Sequence, residues 1–273
     1  MKTLYLISIA LLSSSFSSPV VDLSQHPRAL DEGIYQDIRL PHTIPLGGLG
    51  CGSVELGSDG WFQHLSTNNN WIEDLPRPEG SFFAIWIRDG EHTAAKVLRL
   101  SDADLPSVDH VRYQGVFPCS TLTFTDIDLP VDVFLDAWSP LVAWNLKDSS
   151  IPGAVFSLRC TNPAEHPIEV ALAFSWENLL GLDPQQSDFS QQRIGNTQEI
   201  ERSRSVHGLV FRQLDKDKEE KLPGTYAIAV EEADEGAISY FPSWNAFSPD
   251  SFWDVFSDDG FLFEEDHSGP WPV

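Results

Sequence analysis

The chain has 273 residues, of which 41% are hydrophobic, including 17 Phe and 9 Trp. That apolar content can build a sizeable core, which excludes a disordered tail. The 41 acidic side chains outnumber the 17 basic ones and give a formal net charge of −24 at pH 7. Because this charge repels phosphates and anionic membrane surfaces, we expect no nucleic-acid and no membrane-surface partner.

The first residues have the order of a secretory signal peptide. Met1-Lys2-Thr3 precedes an apolar run from Leu4 to Leu12, and small residues follow from Ser13 to Ser18. A basic start, an apolar stretch and small residues are typical of a segment that is removed on export. The apolar run is too short to span a bilayer. The sequence therefore predicts a signal peptide over residues 1–18, no transmembrane segment, and a secreted or periplasmic protein.

The glycine-rich segment 45–53 is the first motif of the mature chain. Glycines let backbone amides crowd around an anion, but the β-like residues 54–56 follow here instead of the helix that a phosphate site requires. No lysine of a phosphate-binding loop is present in the segment either. We predict a tight backbone path at a sheet edge, with glycines in the left-handed conformation.

Short segments of alternating apolar residues, separated by turn residues, make up most of the chain. Alternation is the pattern of a half-buried strand. Turn residues 162–165 predict a hairpin between two of these segments, residues 181–205 predict a long surface loop, and only residues 251–256 look helical. The predicted fold is an all-β, large antiparallel β-sandwich. Its strands are expected at 53–56, 61–65, 82–88, 93–100, 122–124, 131–135, 154–160 and 168–174.

The segment from Trp61 to Trp71 combines aromatic rings with amide side chains. Proteins use this combination to stack on sugars and to bond their hydroxyl groups, but aromatic rings also fill cores and interfaces between domains. Both interpretations stay open. The candidate residues for a sugar or interdomain contact are Trp61, His64, Asn68, Asn70 and Trp71.

Catalytic and metal-binding signatures are weak. Glycoside hydrolysis needs two carboxyl groups across a sugar, and five acids could supply them, but in a chain with 41 acids a pair carries little weight. No two of the eight His are spaced i,i+2 or i,i+4, so we expect no metal and no cofactor. Three Cys form at most one disulfide, or none if all fill apolar space. The five acids are Glu55, Asp59, Glu73, Asp74 and Glu177.

Five motifs in a fixed order resemble one enzyme family. The first two are the glycine-rich segment 44–53 and Tyr113-Gln114-Gly115-Val116-Phe117-Pro118, which looks like a Tyr-x-Gly-x-Phe-Pro signature. The others are Asp136-Ala137-Trp138-Ser139-Pro140, residues 146–152 and Phe174-Ser175-Trp176-Glu177-Asn178. Together they resemble glycoside hydrolase family 116, which includes the non-lysosomal glucosylceramidases and microbial β-glucosidases.

The resemblance implies an amino-terminal β-sandwich domain over residues 19–273. In that family a carboxy-terminal (α/α)6 domain carries a glutamate nucleophile and an aspartate acid, and nothing in this chain matches it. The resemblance therefore implies that this chain has no catalytic residues, is inactive alone, and serves a retaining β-glucosidase without a cofactor. The substrate would be a carbohydrate or glycolipid bound through the missing catalytic domain.

The chain ends soon after Asp258-Asp259-Gly260, where the family's sandwich would still add strands. We therefore expect a sandwich truncated before its last strands, with an aromatic surface that binds a barrel domain or drives self-association. A stand-alone carbohydrate-binding module that stacks sugars on Trp61 and Trp71 is the alternative from another class, and an inert remnant is a third. The aromatic surface would consist of Trp244, Phe247, Phe252, Trp253, Phe256, Phe261 and Phe263.

Overall fold

A computed structural model describes residues 8–9, 33–66, 77–180, 196–202, 206–213, 225–231, 238–241, 244 and 250–262. Fifteen strands and two helices are present in these ranges. They are β1 (Ser8–Ile9), β2 (Ile34–Gln36), β3 (Pro45–Leu46), β4 (Ser53–Leu56), β5 (Phe62–Ser66), β6 (Phe82–Asp89), β7 (His92–Val97), β8 (His110–Val116), β9 (Cys119–Thr125), β10 (Asp132–Trp138), α1 (Leu146–Ser149), β11 (Val155–Thr161), β12 (Glu169–Ser175), β13 (Asn196–Arg202), β14 (Val206–Gln213), β15 (Thr225–Glu231) and α2 (Asp250–Asp259).

The strands form four antiparallel sheets. One has six strands in the order β1-β11-β10-β9-β8-β2, and three have three strands each: β12-β6-β7, β13-β14-β15 and β3-β4-β5. The all-β prediction is confirmed, and the strands predicted between residues 53 and 174 match β4 to β7 and β9 to β12 closely. No helix in the described ranges has both the length and the apolar character needed to cross a membrane.

The main core lies between the six-stranded sheet and the sheet β12-β6-β7. Alternate residues of β9 and β10, such as Leu122, Phe124 and Val133, point into it and are almost completely buried. Phe62 of β5 is also fully buried there, and its ring packs against Phe83, 5.7 Å away between centroids. Face-to-face packing of two alternating sheets is the arrangement of a β-sandwich.

Strand β6 is buried on both faces. Phe83, Ile85 and Ile87 face the main core, whereas Phe82 and Trp86 face a second apolar cluster that includes α2. The Trp86 indole N–H donates to the Ser257 carbonyl oxygen, 3.2 Å away. The sheet β12-β6-β7 is therefore the middle layer of three.

The second cluster corrects one expectation about the carboxy-terminal aromatics. Phe252 and Phe256 of α2 are 3% and 1% exposed, because they cover the outer face of β6. Trp244 and Trp253 also pack against this cluster, and of the described rings in this set only Phe261 stays substantially exposed. In the described ranges these rings thus complete the domain's own core. Phe247 and Phe263 lie outside the described residues.

Two local predictions are wrong. The segments around turn 162–165 do not form a hairpin, because β11 pairs with β10 whereas β12 pairs with β6 in another sheet. The connection therefore crosses from one layer of the sandwich to the other. The predicted loop 181–205 contains β13, which pairs with β14, while residues 181–195 lie outside the described ranges.

Candidate functional site

The glycine-rich segment connects β3 to β4 by a path that side chains would block. Gly47, Gly50 and Gly52 have φ values of +147°, +78° and +91°, as predicted for left-handed glycines. A Cβ on Gly47 would lie 2.3 Å from the carbonyl oxygen of Gly52, and one on Gly48 would lie 2.5 Å from that of Ile151. The backbone therefore needs glycine at these positions.

Three motifs of the sequence meet around this path. The Gly47 amide donates to the Ser139 hydroxyl oxygen at 2.7 Å, and that hydroxyl donates to the Gly153 carbonyl oxygen at 2.9 Å. The Leu49 amide donates to the Ser149 carbonyl oxygen at 2.8 Å. These bonds join segment 44–53 to segments 136–140 and 146–152, which follow it by about a hundred residues in the chain, at one end of the sandwich.

An exposed apolar surface surrounds this junction, and we call it the Trp144 patch. Trp144 is fully exposed, and its φ of +63° is uncommon for a bulky residue. The Ser149 hydroxyl both accepts from the Val142 amide and donates to the Val142 carbonyl, which holds this loop on α1. A cluster of exposed apolar residues usually marks an interaction surface. The Trp144 patch consists of Leu49, Leu141, Val142, Trp144 and Leu146.

Of the five predicted binding residues, Trp61 immediately precedes β5 and is half-buried. Its indole N–H donates to the Leu100 carbonyl oxygen at 2.8 Å. The guanidinium carbons of Arg99 and Arg77 lie 3.6 and 4.5 Å from its ring centroid, so the ring already stacks on groups of the protein.

The two arginines beside Trp61 are held by carboxylates. Arg77 donates two hydrogen bonds to Asp59, at 2.9 and 2.7 Å, and Arg99 donates to Asp102 at 2.6 Å. Burial lowers the pKa of both arginines, and the adjacent carboxylates oppose this effect. The cleft beside Trp61 has a volume of about 70 Å³, well below the ~300–1,000 Å³ of common ligand pockets.

His64 lies in β5 between the buried Gln63 and Leu65, and is itself half-buried. Its Nε2 is 2.6 Å from the Pro41 carbonyl oxygen, and its ring stacks on His42 with 4.3 Å between centroids. Asn68, Asn70 and Trp71 lie outside the described residues. A shared sugar or interdomain contact of the five residues thus stays a prediction.

The structure also brings together residues that sequence spacing did not connect. One donor atom each from His42, Glu55 and His64 lies within 4.8 Å of the others. The two His are 22 positions apart, so no local motif shows the pair. The Trp144 patch was missed as well, although the run of apolar residues from Leu141 to Trp144 directly after Pro140 was a usable signal.

The carboxylates considered for hydrolysis hold the fold together where they are described. Glu55 accepts from the Thr43 amide at 2.7 Å, and Glu177 accepts from the Gly80 amide at 2.6 Å. Asp59 binds Arg77. Glu73 and Asp74 lie outside the described residues.

The three cysteines are unpaired. Burial raises the pKa of the Cys160 thiol to about 12 and also raises that of Cys119, so neither is a reactive thiolate at neutral pH. Cys51 is exposed, and its Sγ lies 3.1 Å from the Ser150 carbonyl oxygen in the junction of motifs.

Comparison with known protein families gives one match that spans most of the chain. The family model described as "beta-glucosidase 2, glycosyl-hydrolase family 116 N-term" matches residues 43–271. The matched region begins immediately before the glycine-rich segment and includes all the motifs that meet beside the Trp144 patch. This chain therefore belongs to glycosyl hydrolase family 116, and its matched region is that family's amino-terminal domain.

Proposed function

We propose that this domain is the non-catalytic part of a β-glucosidase or glucosylceramidase-like glycoside hydrolase. The observation that carries the proposal is the match of residues 43–271 to the amino-terminal domain of family 116. The described acids support a structural role, because Glu55, Asp59 and Glu177 are bound by backbone amides, a hydroxyl group or arginine. The carbohydrate or glycolipid substrate would be cleaved by a catalytic domain, with retention and without a cofactor.

The Trp144 patch is the surface through which we propose that the domain contacts the catalytic domain. It is apolar, and Trp144 has no shielding from solvent. Two of its members are held by Ser149: the Leu49 amide donates to the Ser149 carbonyl oxygen, and the Val142 backbone bonds to the Ser149 hydroxyl. Tryptophan is enriched among the central, energetically dominant residues of protein interfaces.

A stand-alone carbohydrate-binding module remains the alternative, but no specific observation favours it. Stacking of a sugar on Trp61 would compete with Arg99 and Arg77, which already lie over the ring. The small cleft beside it also leaves little room for a sugar ring. Trp71, the second ring of that hypothesis, lies outside the described residues.

Export through the signal segment 1–18 is part of the proposal. Its support is the basic start, the apolar run and the small residues at 13–18. The short strand β1 falls inside this segment and pairs with β11 at Ser157 and Phe156. Mass spectrometry of the protein from an exporting host tests the proposal: loss of the first 17 or 18 residues supports it, and retention of Met1 or Lys2 contradicts it.

A glycosidase assay tests the non-catalytic role. The purified chain should not hydrolyse an aryl β-glucoside above the rate of a buffer blank, because the described candidate acids Glu55, Asp59 and Glu177 are already bound by groups of the protein. Turnover that disappears in Glu55→Gln or Glu177→Gln, while circular dichroism shows both variants folded, would overturn the proposal.

A binding experiment tests the role of the Trp144 patch. A separately expressed catalytic domain of a family 116 β-glucosidase should bind the chain, and Trp144→Ser should weaken binding by at least about tenfold, as expected for a central interface tryptophan. Ile127→Ser is the matched control, because Ile127 is 91% exposed on the turn between β9 and β10. Equal effects of the two substitutions would contradict docking at the patch. Binding of soluble β-glucans lost in Trp61→Ala would instead favour the carbohydrate-binding module.

A further inference from the structure

A cluster of two imidazoles and one carboxylate lies beside the sheet β3-β4-β5. His42 precedes β3, Glu55 lies in β4 and His64 lies in β5. One donor atom of each residue lies within 4.8 Å of those of the other two, and the His42 Nδ1 is 3.5 Å from the Glu55 Oε1. The three donor atoms therefore come from three different segments of the chain, and the folding of this small sheet brings them together.

Hydrogen bonds from neighbouring groups orient Glu55 and His64 in this cluster. The Thr43 amide and hydroxyl donate to Glu55 Oε2 at 2.7 and 3.2 Å, which leaves Oε1 directed at His42. The His64 Nε2 lies 2.6 Å from the Pro41 carbonyl oxygen. Because a carbonyl oxygen only accepts, Nε2 carries the proton and the lone pair of the ring is on Nδ1. A histidine that binds a metal through one ring nitrogen usually donates its other ring N–H to a carbonyl oxygen, a carboxylate or water.

Two further observations separate this cluster from an ordinary surface pair. Glu55 is 8% exposed, and in the described ranges its ion-pair partner is His42 and no Lys or Arg. A buried carboxylate is costly unless a cation compensates it. His64 has a φ of +49°, a left-handed conformation that is uncommon for non-glycine residues and tends to occur at functional sites.

We propose that His42, Glu55 and His64 form a binding site for a divalent zinc ion. Imidazole nitrogen and carboxylate oxygen are typical zinc ligands, and three protein ligands leave the fourth tetrahedral position to water. Ca²⁺ and Mg²⁺ prefer oxygen ligands, so a site with two imidazoles discriminates against them.

Binding requires only a small movement of the side chains. Zinc–ligand bonds of about 2.0–2.2 Å place neighbouring donors about 3.3 Å apart in a tetrahedron, so the donors must close by up to about 1.5 Å. The stacked rings, inclined by 30°, must also turn so that their lone pairs converge. The His42 side chain is 71% exposed and can make this turn without disturbing the core.

The ion would act as a cross-link at the entry of the sandwich. It would fasten the segment before β3 to β4 and β5, next to the glycine-rich path. A ligand that binds only the folded state raises stability by mass action, so zinc should raise the melting temperature. This inference concerns residues that the proposed docking surface does not include, and its test does not require glycosidase activity.

The test is a titration of the metal-free purified chain. Calorimetry with Zn²⁺ should give one site per chain, and Co²⁺ should give the visible absorption of a tetrahedral site. His42→Ala and Glu55→Gln should each lower zinc affinity at least about tenfold. Because the His42 side chain is exposed, the His42→Ala variant tests the site without disturbing the packing of the core. Ca²⁺ and Mg²⁺ at the same concentrations should not compete.

His166→Ala is the matched control. His166 is exposed and its Nε2 lies 2.7 Å from Asp89 Oδ1, and among the described residues no third ligand joins this imidazole–carboxylate pair. The control should bind zinc like the parent. Absence of stoichiometric zinc binding would overturn the proposal, as would equal affinity of His42→Ala and the parent. Displacement of zinc by Ca²⁺ would also overturn it, since it indicates adsorption to surface acids.

Discussion

Replacement of Trp176 by alanine tests how the aromatic core is connected. Trp176 follows β12 and is half-buried, and its ring meets Phe62 edge-on with 5.0 Å between centroids and Phe174 at 6.0 Å. It also packs against the small cluster of Leu65 and Leu179, so it joins that cluster to the main core.

The magnitude follows from this partial burial. A fully buried tryptophan replaced by alanine costs about 3–5 kcal/mol, of which an aromatic pair supplies about 0.5–1.5 kcal/mol. Because Trp176 is only partly enclosed, we expect a loss near the lower limit, about 3 kcal/mol. With a urea m-value of about 3 kcal/mol/M for a chain of this size, the unfolding midpoint should fall by about 1 M.

Trp144→Ala is the matched control, because it removes the same side chain from a fully exposed position. Surface substitutions usually change the free energy of unfolding by less than about 0.5 kcal/mol. The assay is urea unfolding followed by far-ultraviolet circular dichroism. If Trp176→Ala unfolds at the parent's urea concentration, or if Trp144→Ala loses as much stability, the packing described for Trp176 is wrong.

Three further predictions concern the backbone, a thiol and a buried cation. Gly47→Ala should lower the free energy of unfolding by at least about 2 kcal/mol in urea unfolding, because its φ is positive and a Cβ would meet a carbonyl oxygen at 2.3 Å; an unchanged midpoint would contradict this. At pH 8, iodoacetamide should modify Cys51 and leave Cys160 unmodified by mass spectrometry, because burial raises the Cys160 pKa to about 12. Burial acts to lower the pKa of Lys96, but the hydrogen bonds and charges of Asp128 and Asp126 have a larger effect in the opposite direction, so the pKa is raised. The ion pairs therefore stabilise the fold below pH 10.5 and are lost as pH rises through the higher folded pKa, so Lys96→Met should flatten the alkaline loss of stability in thermal melts; parallel pH profiles would refute this.

The strands were predictable because each carries its own alternation. In β10, Val133 and Leu135 face the core, and burial follows the period of two that the sequence displays. Pairing partners were not predictable in this way. The chain near Asn162 has ordinary turn chemistry, yet β12 has two apolar faces and is stabilised most by pairing with β6 in the middle layer.

The candidate sites depended on tertiary contacts and were less predictable. The glycine path could be inferred, since successive glycines indicate positive φ values wherever they lie. The approach of His42 to His64 could not, because it depends on the register of β4 on β5 and on a bend that gives His64 its positive φ. Likewise, the aromatic residues of α2 look the same in sequence whether they cover β6 or face solvent.

The crossing from β11 to β12 has a consequence for the order of folding. Strands β8 to β11 pair with their neighbours in sequence, so they can form early as a meander. The partner of β12 is β6, with Glu169 opposite Arg88, and the chain must close a loop of about eighty residues before this pairing forms. Only after this pairing is the sheet β12-β6-β7 complete, with the main core on one face and the second apolar cluster on the other. The closing of the middle layer is therefore expected to limit the folding rate. Until it happens, β6, whose first six residues are all buried in the final fold, has one free edge.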